Sequence, residues 1–112
     1  MAVTQEPITR GHVCLVRLDP TLGSEIKKTR PCLVVSPNEL NEHLRTLIVA
    51  PLTTGGHAYP WRPRCRFHGR AGFVALDQLR TVDTERVVKS LGALDPQAVL
   101  AALRRLQEMF AP

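Results

Sequence analysis

The chain has 112 residues, 44% of them hydrophobic, and it carries a net charge of +5 with a pI near 9.7. Its length suits one domain and is too short for two independent cores. No stretch approaches the roughly 20 apolar residues that cross a bilayer, and the N-terminus lacks an apolar signal segment, so we expect a cytoplasmic protein with no membrane partner. The basic balance favours a polyanionic partner, because Lys and Arg release counterions when they neutralise phosphates.

The cysteines and histidines are too scattered for a disulfide framework or a metal site. Cys14, Cys32 and Cys65 form no CxxC pair and lie in apolar or alternating runs, so we expect buried or partly buried thiols in a reducing compartment. Four histidines show no metal-ligand spacing, and they are His12, His43, His57 and His68. We therefore predict neither a metal nor a cofactor, and we keep His57 and His68 as secondary candidates for catalysis.

Residues 1–9 are polar and aperiodic, which predicts a mobile tail ahead of one domain at 10–112. Short apolar runs of strand length then alternate with turn residues. They cover 13–18, 31–36, 47–52, 73–76 and 87–94. Continuous apolar runs of this kind predict strands that are covered on both faces or belong to a tightly curved barrel.

The segment 61–68 alternates strictly between apolar and basic positions. Its basic face carries Arg62, Arg64, Arg66 and His68, with Arg70 beyond. Side chains two apart on a strand lie roughly 6.6 Å from one another along it, so this face is a candidate RNA track. The alternative is a solvated strand edge that guards against unwanted strand pairing.

The C-terminus changes to helical period. Asp95 is a good N-cap and Pro96 suits the first helical position. An apolar stripe follows at three- and four-residue intervals, formed by Val99, Leu100, Leu103, Leu106 and Phe110. The whole pattern predicts a mainly β fold with a C-terminal α-helix, of the small SH3-like β-barrel kind.

Two connections between strands hold residues suited to a phosphodiester. Arg30 ends the connection at 19–30, and the following Pro31 restricts its backbone to extended geometry. Its forked guanidinium suits phosphate oxygens, although a surface arginine in a turn would look the same. Thr53 and Thr54 precede two glycines, so hydroxyls and open backbone N–H groups are available to one anion, or the segment is a flexible hairpin turn.

Two carboxylates are candidates for a general base. Asp77 ends an apolar run shortly before Arg80, and Glu25 lies in the 19–30 connection. Each has the alternative role of turn cap or salt-bridge partner. With Arg30 and the threonine pair they predict one cleft for phosphodiester transesterification without metal, since the sequence lacks the acidic cluster of divalent-ion nucleases.

Six motifs in order along the chain resemble the MazF/PemK (Kid) toxins. They read RGHV (10–13), LDPT (18–21), GSE (23–25), KTRPCLVVSP (28–37), APLTT (50–54) and LDQLRTVD (76–83). The resemblance implies a CcdB/MazF-type barrel, a two-fold homodimer and a sequence-selective endoribonuclease that cuts single-stranded RNA. It implies attack by the ribose 2′-OH, which leaves a 2′,3′-cyclic phosphate and a 5′-OH. It also implies an acidic MazE-like antitoxin that folds onto the basic groove.

Residue roles follow from the same resemblance. Arg30 matches the catalytic arginine of the Arg-Pro motif and Thr53 the catalytic threonine of the Pro-x-Thr motif, with Thr54 beside it at the phosphate. Glu25 matches the acidic residue of Gly-x-Glu, and Asp77 the aspartate that Kid-like members use as base. The predicted RNA-binding set is Thr54, Lys28, Arg62, Arg64, Arg66 and Arg80. The chain departs from Kid-like members at Ala75, where they place an arginine.

The loops 53–59 and 66–72 are the segments that we expect to set the cleavage sequence. Two other functions remain open for the same fold. A CcdB-like toxin would act on DNA gyrase through protein contacts, but such chains end in Trp-Gly-Ile, whereas this one ends EMFAP (108–112). A non-catalytic SH3-like nucleic-acid-binding module would need only the basic charge.

Overall fold

The computed structural model describes residues 8–112. The strands are β1 (His12–Arg17), β2 (Thr29–Val34), β3 (Thr46–Thr53), β4 (Arg64–Phe67), β5 (Arg70–Val74), β6 (Arg80–Asp83) and β7 (Val87–Ala93). The helices are α1 (Asn38–His43) and α2 (Pro96–Phe110), with short 3₁₀-helices at Leu76–Gln78 and Thr84–Arg86.

The sheet is antiparallel and curls around β3. One edge of β3 pairs with β2. The other edge pairs with β6 through Thr46–Val49 and with β5 through Leu52 and Thr53. The strand order β4-β5-β3-β2-β1-β7 does not close on itself within residues 8–112, so the sheet is a curled half-barrel. The predicted mainly β fold with a C-terminal helix is confirmed.

Both faces of the central strands are buried, which accounts for their continuous apolar runs. Val13 and Leu33 belong to a first core cluster, on which α2 packs, while their neighbours Cys14 and Cys32 belong to a second cluster. Successive side chains of a strand point to opposite faces, so one run fills two clusters. The prediction of strands covered on both faces is confirmed.

The C-terminal helix begins as the sequence predicts. The Asp95 carboxylate accepts a hydrogen bond from the Ala98 N–H at 3.3 Å, and Pro96 is the first helical residue. Of the predicted apolar stripe, Val99, Leu103 and Leu106 pack on the first cluster. The predicted stripe is wider than the buried face of the helix, because Leu100 is 48% exposed and Phe110 is 69% exposed.

Several element boundaries differ from the sequence prediction. The alternating strand covers only Arg64–Phe67, because 59–62 form a turn closed by the pairing of Tyr59 with Arg62. β5 starts at Arg70, and the chain leaves it at Ala75 to enter the first 3₁₀-helix. Neither α1 nor β6 was predicted. α1 buries no residue and β6 buries only Val82, so neither leaves a periodic apolar pattern.

The N-terminal tail lies mostly outside the described residues. Ile8, the first described residue, is half-buried against the second cluster, and the Thr9 carbonyl accepts a hydrogen bond from the His12 N–H at 3.0 Å. No helix within residues 8–112 is long and apolar enough to cross a membrane.

Candidate active site

The pairing of β2 with β3 brings Arg30 next to Thr53. The register places Cys32 opposite Pro51, and continuing it by two residues places Arg30 opposite Thr53. Both residues line a recess of about 420 Å³ together with Thr54. The rest of the lining is Pro31, Leu52, Cys65, Phe67, His68, Arg70, Ala71, Gly72 and Leu91. We call this space the arginine recess.

The Arg30 side chain is anchored by one nitrogen only. Its Nε donates to the Lys27 carbonyl at 3.0 Å, and its terminal nitrogens have no hydrogen-bond partner within residues 8–112. Lys28, two residues before Arg30, has a φ of 71°, and its carbonyl accepts a hydrogen bond from the Leu18 N–H at 2.9 Å. The end of the connection is therefore fixed, while the guanidinium keeps donors for an incoming anion.

The Thr53 backbone is held on its other side by β5. Thr53 pairs with Phe73, and an added Cβ on Gly72 would lie 2.2 Å from the Thr53 carbonyl oxygen. Only a glycine allows this approach, so Gly72 sets the position of the threonine pair. This role of Gly72 was not predicted from the sequence, although a glycine inside a strand is a known sign of close backbone contact.

The two candidate carboxylates line a separate recess of about 410 Å³, which we call the carboxylate recess. Its lining is Glu25, Ile26, Pro51, Asp77, Gln78, Leu79 and Arg80. The arginine recess includes Arg30 and both threonines but neither carboxylate. The sequence placed all of them in one cleft, and the structure divides them between two recesses that share β3.

Asp77 forms a bidentate ion pair with Arg62. The guanidinium donates from Nε and Nη2 to the two carboxylate oxygens, each at 2.8 Å. These hydrogen bonds lower the pKa of the Asp77 carboxyl below its ordinary value. Arg80, the neighbour in sequence, donates instead to the Leu18 carbonyl at 3.0 Å. Ala75, where Kid-like members have an arginine, is fully buried, and its N–H donates a hydrogen bond to the Pro51 carbonyl at 2.8 Å.

Glu25 is engaged through one oxygen. Its Oε1 accepts a hydrogen bond from the Leu22 N–H within the 19–28 loop. Its other oxygen has no hydrogen-bond partner in the described part of the chain. The same loop is tied to the 3₁₀-helix by the Ile26 N–H, which donates to the Gln78 side chain at 3.2 Å.

The predicted basic track is only partly present. Arg64 and Arg66 are exposed on β4, and neither lines the arginine recess. Arg62 lies before the strand and is committed to Asp77, with its guanidinium 5.7 Å from the centre of the Tyr59 ring. The basic residues that do line the recess besides Arg30 are Arg70 and His68. Neither residue belongs to the RNA-binding set predicted from the sequence.

The three cysteines are free thiols. Cys14 and Cys32 are buried opposite each other on β1 and β2, and burial raises both pKa values, that of Cys32 to about 12. Cys65 is half-buried in the arginine recess, and burial raises its pKa as well. No three His, Cys, Asp or Glu side chains of residues 8–112 are grouped so that they could hold a metal ion.

Known proteins similar in sequence carry the names of endoribonucleases. Endoribonuclease PemK of Escherichia coli is 38% identical over 88 residues, which cover 66% of this chain and 59% of PemK. Endoribonuclease toxin MazF of E. coli K12 is 32% identical over 64% of this chain and 65% of MazF. Endoribonuclease EndoA of Bacillus subtilis is 31% identical over 80% of this chain and 83% of EndoA. The chain thus spans less than two thirds of PemK and of MazF.

Solved structures share the fold. MazF of Deinococcus radiodurans superposes with a TM-score of 0.82 at 24% identity, covering 94% of this chain and 97% of that one. A mycobacterial endoribonuclease in complex with its cognate antitoxin superposes with a TM-score of 0.78 at 22% identity, with the same coverage. Residues 9–110 match the sequence profile of PemK-like, MazF-like toxins. The chain belongs to this family of toxins of type II toxin–antitoxin systems.

Proposed function

We propose that this chain is a sequence-selective endoribonuclease toxin that cuts single-stranded RNA without a metal ion. The observation that carries the proposal is that Arg30 of β2, Thr53 at the end of β3 and the following Thr54 line one recess. The net charge of +5 favours a nucleic-acid substrate, and the similar proteins PemK, MazF and EndoA are named endoribonucleases. We propose the cytoplasm as its compartment, where such a substrate is found.

The proposed chemistry is transesterification by the ribose 2′-OH. The 2′-oxygen loses its proton and attacks phosphorus, the bond to the 5′-oxygen breaks, and that oxygen takes up a proton. Arg30 binds the non-bridging oxygens, whose charge grows in the transition state, and the Thr53 hydroxyl donates to the same phosphate. An arginine stays protonated near neutral pH, so we assign Arg30 to electrostatic stabilisation and not to proton transfer.

The proton acceptor is a carboxylate in this proposal, so the bound RNA extends from the arginine recess into the carboxylate recess, where hydrogen bonding favours Glu25 over Asp77. Both Asp77 oxygens accept from Arg62, and its lowered pKa makes it a weaker base. Glu25 keeps one oxygen free of hydrogen bonds within the described residues. Asp77 then serves to hold Arg62 and the turn that precedes β4.

We propose two protein partners. The first is an acidic antitoxin that occludes the basic recess, supported by family membership and by the mycobacterial structural neighbour, whose structure contains its cognate antitoxin. The second is another copy of this chain in a homodimer. A chain of 112 residues has a modest core, and a dimer buries further apolar surface.

The experiment is cleavage of a long single-stranded RNA in EDTA, with end mapping. We expect wild type to give discrete cuts with 5′-OH ends, and Arg30→Ala to lose at least about a hundredfold in rate. Arg45→Ala is the matched control, because Arg45 is exposed and lines neither recess. RNA binding without cleavage would favour the non-catalytic module. Neither binding nor cleavage would favour a toxin that acts on gyrase, and equal cutting by Arg30→Ala would mean that the site lies elsewhere.

A further inference from the structure

Two aromatic rings are stacked at the rim of the arginine recess. The rings of Phe67 and His68 have centroids 3.9 Å apart and planes inclined by 18°. Phe67 is half-buried and packs on the first core cluster, so it fixes the position of the pair. His68 is exposed and lines the recess, so its ring is accessible from solvent. Its ring nitrogens have no hydrogen-bond partner within residues 8–112.

The backbone holds His68 in place at some energetic cost. His68 and Gly69 form the two-residue turn between β4 and β5, with φ values of 49° and 77°. Tight hairpins of this kind favour Asn or Gly at the first position, because positive φ strains a residue with a larger side chain. The chain has an imidazole where a smaller residue would suit the turn better, and strain of this kind is often found at binding sites.

The surroundings of the stacked pair match a short piece of single-stranded RNA. Both residues line the recess that holds Arg30 and Thr53, and Arg70 lines it two residues further along the hairpin. The ionisable groups that share this lining are Arg30, Cys65 and Arg70, so no carboxylate faces the platform from the recess. Cationic side chains beside an exposed ring are the usual arrangement for binding a base together with its phosphates.

We propose that the Phe67–His68 pair is a stacking platform for one nucleobase next to the scissile phosphate. This inference rests on the proposed ribonuclease function and names a substrate contact at the same site. Stacking on His68 positions the strand so that a phosphate reaches Arg30 and Thr53. No proton is transferred by His68 in this role.

The test distinguishes loss of the His68 ring from distortion of the hairpin turn that carries it. His68→Asn removes the ring but suits the positive φ, so the hairpin is kept. His68→Phe keeps a stacking face and removes the ring nitrogens. His43→Asn is the control, because His43 is exposed on α1 and outside the recess. Cleavage is measured on an RNA oligonucleotide carrying one mapped cut site, and binding on its non-cleavable 2′-deoxy counterpart with 2-aminopurine at each flanking position in turn.

We expect His68→Asn to raise KM and the binding Kd roughly 5- to 100-fold with little change in kcat, and His68→Phe to stay near wild type. The 2-aminopurine fluorescence should be quenched at one position in wild type and released in His68→Asn. An abasic nucleotide at that position should weaken wild type and not His68→Asn. If wild type cleaves and His68→Asn has the same KM as wild type, the stacking platform is wrong and the proposed ribonuclease function is unaffected. A kcat loss in both variants would assign His68 to proton transfer instead, and no binding by wild type would overturn both proposals.

Discussion

The two recesses beside β3 differ in what their polar groups already bind. In the carboxylate recess Asp77 is paired with Arg62, Glu25 accepts from Leu22, and Arg80 donates to Leu18. In the arginine recess, Arg30 keeps its terminal nitrogens and Thr54 keeps its hydroxyl without partners in the described residues. Thr54 is exposed and Arg30 is half-buried, so these donors are open to an anion that arrives from solvent. Apart from the unbonded Glu25 oxygen, the polar groups of the first recess thus hold loops together, and the second recess has donors in reserve for an anion.

The largest expected effect is the loss of cleavage rate when the Thr53 hydroxyl is removed. Thr53→Val removes the hydroxyl and keeps the β-branched shape, so we expect kcat to fall about a hundredfold while the free energy of unfolding changes little. Thr81→Val is the control, because Thr81 is exposed on β6 and lines neither recess. Initial rates on the mapped RNA substrate decide the matter. A Thr53→Val enzyme within threefold of wild type would remove Thr53 from the chemistry.

The next effect concerns how β5 holds the threonine pair. Gly72→Ala places a Cβ 2.2 Å from the Thr53 carbonyl oxygen, so the two strands must separate. We expect a loss of about 2 kcal/mol in the free energy of unfolding, and at least a tenfold lower cleavage rate in the fraction that stays folded. Gly55→Ala is the stability control, because its Cβ would meet nothing within 4 Å. Urea titration and rates together test this, and an unchanged Gly72→Ala variant would contradict the close approach.

The sequence predicted the fold well where hydrophobic period decides it. The buried strands and α2 with its Asp95 cap lie where their patterns indicate, because burial on one or two faces leaves a direct mark on residue order. The missed elements, α1 and β6, bury almost nothing and leave no such mark. The N-terminal half of the alternating segment was misassigned because alternation also occurs in turns, and this turn is held by backbone hydrogen bonds to the Trp61 and Pro63 carbonyls.

The candidate site shows what motifs leave undetermined. The motifs brought Arg30, Thr53 and Thr54 to attention, and strand register places them in one recess. The motifs say nothing about which arginine reaches Asp77. Arg80 is three residues away in sequence and Arg62 is fifteen, yet Arg62 makes the ion pair because the turn before β4 folds back along 74–77. Long-range pairing of side chains depends on the folded backbone, which local sequence does not encode.

The smallest expected effect concerns the Asp77–Arg62 ion pair at the carboxylate recess. Arg62 is the first cause of the lowered Asp77 pKa, and a carboxyl with a lowered pKa stabilises the fold at pH values above its unfolded pKa. We expect Asp77→Asn to cost about 1 kcal/mol at pH 7, because the pair is bidentate but partly exposed. The difference from wild type should shrink as pH falls below about 4 and vanish below the lowered pKa, where Asp77 is protonated. Unfolding curves from pH 7 to pH 2.5 measure it.

Glu108→Gln provides the comparison for Asp77→Asn. Glu108 pairs with Arg105 through one 3.0 Å contact, and its side chain is 57% exposed against 40% for Asp77. We therefore expect less than about 0.5 kcal/mol for Glu108→Gln. Equal losses would mean that the Arg62 pair is an ordinary surface contact. If Asp77 is structural, Asp77→Asn should keep more cleavage activity than Glu25→Gln, and the reverse order would restore Asp77 as the base.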